Sequence, residues 1–374
     1  MTKKFILFDM DGVLLKPGGY HQALKATVRR IGMALGVPAA DLTEDQIAQF
    51  EALSVTNEWD SAAICAALTL IKAWQFDPDM RLGNYPMEAD VLTEETPAIV
   101  PFLDTFNGVG DLPTVSAYEK ITQETPWLNE SQREYLKRIL YLSRDIYHSP
   151  ILPWHQETVL GSKAFYDNYG LEPQLNIKSY LTVYDRQVMT HETGKNLESW
   201  LANPDNQAGL MTNRPSSTPP GYLSSPEAEL GSQLVEVDYL PLLGSGMLAW
   251  FAATQCDLAD HTFLKPNPVH ALALMQMCRG ESAVSALRLA YDMWRGEGKR
   301  GDWEMFSGSQ VIIFEDAVKG LQAGRYAQAL LAREDIGIAL SLIGISSNPI
   351  KIVELEKIAD YVYPDINQVN WREL

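Results

Sequence analysis

The sequence predicts an α/β protein with a mainly parallel sheet and a long helical segment inserted near its start. Three observations carry this expectation. Phe5-Ile6-Leu7-Phe8 is a wholly apolar run that stops at Asp9-Met10-Asp11-Gly12, the pattern of a strand buried on both faces and ended by a turn. From Lys195 onward, runs of the same kind alternate with helical patterns, as a parallel sheet with crossover helices requires. Between Asp11 and about Lys195 the apolar residues recur instead at helical spacing.

The strands expected after the first are 208–213, ending in Thr212-Asn213, and 311–316, ending in Glu315-Asp316. Weaker strand patterns occupy 234–239 and 340–345. Helices are expected over 196–201, 269–278, 317–331 and 350–359, and within the insertion over 23–35, 60–74 and 130–147. In the last of these, Tyr135, Ile139, Leu142 and Ile146 form one stripe. Segments 76–101, 108–113 and 215–232 are rich in turn formers and read as loops, and 285–308 reads as an added surface element. The first strand then belongs with the C-terminal half: a core of 1–15 plus 190–374, and an inserted domain of 16–189.

Composition narrows the function. Of 374 residues, 46% are hydrophobic and 21% charged, with 30 basic against 48 acidic side chains and a net charge of −18. Such an acid surplus repels a phosphate backbone, so nucleic acid and anionic membrane surfaces are not expected partners. Cys65, Cys256 and Cys278 are scattered and never in a C-x-x-C pair, which fits a reducing compartment. No run approaches the ~20 apolar residues of a spanning helix, and the N-terminal apolar run is too short for a signal sequence. The expectation is a cytoplasmic protein; its oligomeric state is not legible.

The chemistry-bearing residues cluster at strand ends, where open α/β sheets bind their ligands. Asp9 and Asp11 set two carboxylates side by side, and they repel unless a cation or a shared proton intervenes. Thr212-Asn213 offers a hydroxyl and backbone N–H groups to an anion. Lys265-Pro266-Asn267-Pro268 opens a helix, with the lysine placed to reach an anion near that end. Asp316 is the better metal ligand of the last pair; Glu315 either binds the metal, directly or through water, or caps the helix.

Taken in order, D-x-D-G-V, T-N, K-P-x-P and E-D-x-x-x-G-x-x-A-G resemble the four motifs of the haloacid dehalogenase-like superfamily, and the insertion after the first motif resembles the class with a helical cap there. The likeness covers about half the chain. It implies a Rossmann-like core and a Mg2+-dependent phosphatase acting on a small phosphorylated metabolite. In it Asp9 is the nucleophile, Asp11 the general acid and base, and Thr212, Asn213 and Lys265 the phosphate-binding residues. Asp9, the Asp11 carbonyl and Asp316 hold the metal, with Glu315 beside them. Asp11 sets the chain apart from dehalogenating and phosphonate-cleaving members, which lack that acid. Departures are Lys16-Pro17-Gly18-Gly19, where members often carry Asp-Ser or Asp-Thr, and longer spacings from Thr212 to Lys265 and from Lys265 to Glu315.

Three other readings exist. His21 stands where hexose phosphomutases of this class carry a functional histidine, so a phosphomutase is an alternative, with His21 a candidate cap-side residue. A catalytically silent phosphate-binding or regulatory protein is a second, although retention of both aspartates speaks against it. Gly244-Ser245-Gly246-Met247-Leu248-Ala249 mimics a dinucleotide fingerprint, but no second βαβ half follows it.

Overall fold

The computed structural model describes residues 2–38, 42–55, 57–83, 89–108, 112–371 and 374. The chain divides into two compact units, Met1–Pro17 with Asp185–Leu374, here the core unit, and Gly18–Tyr184, the inserted unit.

Among the described residues the strands all lie in the core unit: β1 (Lys4–Phe8), β2 (Leu15–Lys16), β3 (Arg186–Gln187), β4 (Asn206–Met211), β5 (Leu242–Leu243), β6 (Gln310–Glu315), β7 (Ala339–Ile345) and β8 (Tyr361–Tyr363). Six of them form one parallel sheet in the order β5-β4-β1-β6-β7-β8, and β2 pairs with β3 in a short antiparallel ribbon. The apolar runs are explained by burial on both faces. Phe5, Leu7, Val311 and Ile313 point into one core, whereas Ile6, Phe8, Ile312 and Phe314 point into the other. Fully burying each such side chain stabilises the fold by about 1.5–3 kcal/mol.

In the inserted unit, nine helices occur among the described residues: α1 (Gly19–Ala34), α2 (Glu44–Ala52), α3 (Glu58–Trp74), α4 (Ile99–Leu103), α5 (Pro113–Glu124), α6 (Glu130–Tyr141), α7 (Leu152–Leu160), α8 (Ser162–Tyr169) and α9 (Tyr180–Tyr184). Helix α3 is buried on nearly every side, as its Ala62-Ala63-Ile64-Cys65-Ala66-Ala67 run predicts, because a helix apolar all round finds a place only inside a bundle. Buried Asp60, in its first turn, accepts from Ser143 Oγ and from the Arg144 guanidinium, both at 2.8 Å. Trp74 and Trp154 belong to this core, while Trp127 is exposed. Within the expected loops, residues 84–88 and 109–111 lie outside the described residues.

The core unit adds α10 (His191–Leu201), α11 (Glu227–Leu234), α12 (Ser245–Gln255), α13 (Pro268–Cys278), α14 (Ala283–Arg295), α15 (Val318–Arg333) and α16 (Pro349–Leu355). Helices α12 to α15 cover one sheet face and α10 the other, the layering of a Rossmann-like α/β protein.

Several expectations are corrected, among them the helix over 130–147, which ends at Tyr141 and leaves Ile146 outside it. Segment 234–239 is not a strand: α11 ends at Leu234, Glu236 takes a positive φ of 58°, and pairing with β4 falls on Leu242–Leu243. The segment 215–232 is accordingly not all loop, since α11 begins in it. The 285–308 segment is not a surface addition, because α14 packs Ala286, Leu287, Ala290 and Met293 into the core and Trp303 and Phe306 are fully buried behind it. The glycines of 244–249 are packing positions at the start of α12, where a Cβ on Gly246 would collide with the Ser216 carbonyl. β5 is moreover an edge strand with β4 on one side only, so a dinucleotide fingerprint there has no strand on its other side to complete a crevice. Among the described residues, no helix is long and apolar enough to cross a membrane.

Candidate active site

The site follows from register. Phe8 pairs with Leu210 on one side and with Phe314 on the other, so the next residues, Asp9, Met211 and Glu315, leave the sheet at the same edge. The Asp9 N–H donates to the Phe314 carbonyl at 2.9 Å, fixing that alignment. This is also the point where the chain, after β1, continues to β4 on one side and β6 on the other, the kind of crevice in which open sheets bind ligands. Strand alternation sends Asp9 and Glu315 to the same face as Leu7 and Ile313, which is the face covered by α13.

Lys265 enters from that face. It precedes α13, whose start is set by Asn267, accepting from the Val269 N–H at 2.9 Å, and by Pro268 in the first turn. His270, in the same helix, is fully buried, and its Nε2–H donates to the Leu243 carbonyl at 2.9 Å, tying α13 to β5. Burial and then the nearby Lys265 charge lower His270 to about 3, so the ring is neutral at any ordinary pH. Lys265 Nζ donates to Asp9 Oδ1 at 2.6 Å and to Glu315 Oε1. Burial disfavours the ammonium, but Asp9 and Glu315 outweigh it and raise Lys265 above its ordinary value.

The acids carry more negative charge than Lys265 offsets. Burial first, then Glu315, holds the Asp9 carboxyl well above the usual carboxylate range, and burial likewise raises Glu315 despite Lys265. Asp9, Glu315 and Asp316 each place one oxygen within 4.8 Å of the others. Three carboxylate oxygens gathered that closely can share one ion, and an all-carboxylate donor set suits a hard cation. The residues present therefore fit such an ion.

Two glycines make room for these acids. Gly12 has φ +77°, a conformation costly for other residues, and a Cβ there would overlap the Asp316 carboxylate. At Gly320 a Cβ would overlap the Glu315 carboxylate, which explains the glycine five residues after Glu315. Both Glu315 oxygens are engaged, Oε1 by Lys265 and Oε2 by the N–H groups of Asp316 (3.1 Å) and Ala317 (3.3 Å). The backbone turns where β6 ends, so the adjacent acids Glu315 and Asp316 converge. Asp316 also carries Lys351, from α16, on Oδ2.

Thr212 is buried at the end of β4; its N–H donates to the Leu243 carbonyl at 3.2 Å and its Oγ1 accepts from the Arg214 N–H at 3.1 Å. Asn213 is exposed. Asp11 lies apart from the three-acid cluster in its hydrogen bonding: its carboxylate is gripped by Arg214, which in turn meets Asp185. His21 lies on α1 of the inserted unit, with Nδ1 2.7 Å from Glu44 Oε2 and Nε2 3.7 Å from Glu51 Oε1. Lys25 joins Glu44 at 2.6 Å, and these two partners hold Glu44 below its ordinary value, Lys25 contributing most.

Lys351, Arg214 and Asp185 are the additions that sequence reading missed. Arg214 had one signal, its position immediately after Thr212-Asn213.

No protein-family model matches the chain, and no curated protein matches its sequence. Among solved structures, the chain resembles a crystal structure from the Northeast Structural Genomics Consortium, target ZR25, with a TM-score of 0.65, 18% identity, and coverage of 97% of this chain and 95% of that one. That likeness shows the fold alone. Phosphatase Tt82 from Thermococcus thioreducens aligns at a TM-score of 0.49 and 13% identity over 94% of this chain and 99% of its own, a level that says nothing of activity.

Proposed function

We propose that the protein is a Mg2+-dependent phosphatase of the haloacid dehalogenase-like kind, acting on a small phosphorylated metabolite. The observation that carries this reading is the convergence of Asp9, Lys265, Glu315 and Asp316 at one edge of a parallel sheet, at the point where strand order switches.

Asp9 is the nucleophile. Its Oδ1 is held by Lys265, and Oδ2 has no hydrogen-bond partner among the described residues. Attack by that oxygen forms an O–P bond and an aspartyl-phosphate, while the bond from phosphorus to the leaving oxygen breaks. Asp11 gives its proton to the leaving oxygen; it then takes one from the water that attacks phosphorus, which releases phosphate and regenerates Asp9. Lys265 offsets the charge that carboxylate and phosphate bring together, and Thr212 with the backbone at Asn213 orients the phosphoryl oxygens. Glu315 fixes Lys265. Asp9, the Asp11 carbonyl and Asp316 would hold Mg2+, which when bound neutralises charge between carboxylate and phosphate. Choice among metabolites is assigned to the inserted unit.

The test is phosphate release from a panel of phosphorylated metabolites by the purified protein, with Mg2+ and with EDTA, beside Asp9→Asn. Release should require Mg2+ and vanish in the variant. Release that persists unchanged in Asp9→Asn overturns the reading, and conversion of a hexose 1-phosphate to its 6-phosphate under a bisphosphate activator replaces it with a mutase.

A further inference from the structure

Arg214 and Asp185 form a buried charged pair that the proposed chemistry does not yet use. Their side chains are 1% and 0% exposed, whereas Asp11, which they hold, is 34% exposed and reaches solvent. Arg214 grips Asp11 along one edge of its guanidinium: Nε donates to Oδ2 at 2.8 Å and Oδ1 at 3.0 Å, and Nη2 to Oδ1 at 2.5 Å. The third nitrogen, Nη1, lies 2.8 Å from Asp185 Oδ2. That contact is a close ion pair and not an aligned hydrogen bond, so the fork is fixed by Asp11 on one edge and by opposite charge at the other.

The backbones on both sides are fixed as well. Arg214 precedes Pro215, which restricts its dihedrals, and its N–H is spent on Thr212 Oγ1. Asp11 sits in a tight loop closed by the Gly12 N–H donating to the Leu15 carbonyl at 2.8 Å. Asp185 immediately precedes β3, the partner of β2, so the brace and the loop it acts on are anchored to one ribbon.

Burying an arginine and an aspartate is costly, and well-packed apolar residues commonly stabilise such a position as much or more. What an apolar substitute cannot do is fix the plane and reach of a third carboxylate. Nor is the guanidinium arranged to bind phosphate, since it is buried, hydrogen-bonded to Asp11 and ion-paired with Asp185. We propose that Arg214, braced by Asp185, is the positioning residue for Asp11, holding it where it exchanges a proton with the leaving oxygen. This rests on the phosphatase reading above.

Leaving-group dependence tests it. p-Nitrophenyl phosphate expels a stable phenolate that needs no proton, while phenethyl phosphate expels an alkoxide that does. Arg214→Lys keeps the charge and loses the fork. In single-turnover mixing it should slow aspartyl-phosphate formation from phenethyl phosphate about 100-fold, the scale of general acid catalysis, and from p-nitrophenyl phosphate less than about five-fold, while the later attack of water, which Asp11 also assists, slows alike for both. Asp11→Asn should show the same selectivity, and the double variant should be no worse than Asp11→Asn alone. Asp185→Asn, which leaves the fork on Asp11, should lose about ten-fold in the first step on the alkyl ester only. Equal losses of the first step on both esters, additive effects on it in the double variant, or a change confined to KM would overturn the assignment, because misfolding or lost phosphate contact slows phosphoryl transfer from both substrates alike. A wild type that hydrolyses neither ester with Mg2+ sinks the phosphatase reading and this inference with it; one that hydrolyses both while the variants lose no selectivity sinks the inference alone.

Discussion

Removing Lys265 should destabilise the core unit in a pH-dependent way. Its side chain is 5% exposed, and the ammonium lies between two acidic side chains that are 9% and 1% exposed, with Asp9 Oδ1 at 2.6 Å. In Lys265→Met, two buried acids lose the cation between them, a loss of about 3–5 kcal/mol for a broken buried ion pair where they are ionised. For a unit of roughly 200 residues, each kcal/mol moves Tm by about 2–4 °C, so the expected fall is about 6–20 °C. The sign with pH follows from the carboxyls. Asp9 and Glu315 are both raised above their ordinary values, chiefly by burial, so each contributes stability at low pH that is lost as pH rises through its folded value. Lys265 is raised as well, so its own contribution holds across neutral pH and is lost only in strong base. Without it the carboxyls rise further, and the gap between variant and wild type should widen from pH 5 to pH 8. Thermal unfolding followed by circular dichroism in EDTA measures this. A variant that melts with the wild type at every pH would refute the placement of Lys265 between two buried acids.

Two further perturbations follow from the same geometry. Gly12→Ala forces a Cβ into a positive-φ position and against the Asp316 carboxylate, so it should cost more than about 1 kcal/mol in denaturant unfolding and weaken Mg2+ binding by calorimetry; wild-type values for both would contradict the crowding at that turn. Lys351 and a dication compete for Asp316, so Lys351→Met should tighten Mg2+ about two- to five-fold, the worth of a half-exposed ion pair, while Asp316→Asn should weaken it at least about ten-fold. Unchanged affinity in both variants would remove Asp316 from the metal site.

The strands that carry the site were legible because they are buried on both faces and so must be apolar throughout, as at 5–8 and 311–314. The acids that follow them, with Thr212, were legible because a sheet edge gathers whatever terminates its strands, and Lys265 because it stands just before a helix start. The edge strand β5 was not, since two residues carry no periodicity, and the stronger pattern at 234–239 reflects Val235 and Val237 buried in a turn. Helix α14 was hidden behind unusual spacing, although its own apolar stripe was present in the sequence. The link from Asp11 through Arg214 to Asp185 could not be read from the sequence. Its members are joined only by the fold, and an arginine beside a proline in a Ser/Pro-rich stretch reads as solvent-exposed.

The covalent step is the most direct test of the account. Protein mixed with a hydrolysed phosphoester and Mg2+, quenched in acid during turnover and digested, should yield the peptide containing Asp9 heavier by one phosphoryl group, with fragmentation placing the group on that residue. Turnover with Asp9 unmodified and the phosphoryl group on another side chain, or on none, would contradict it.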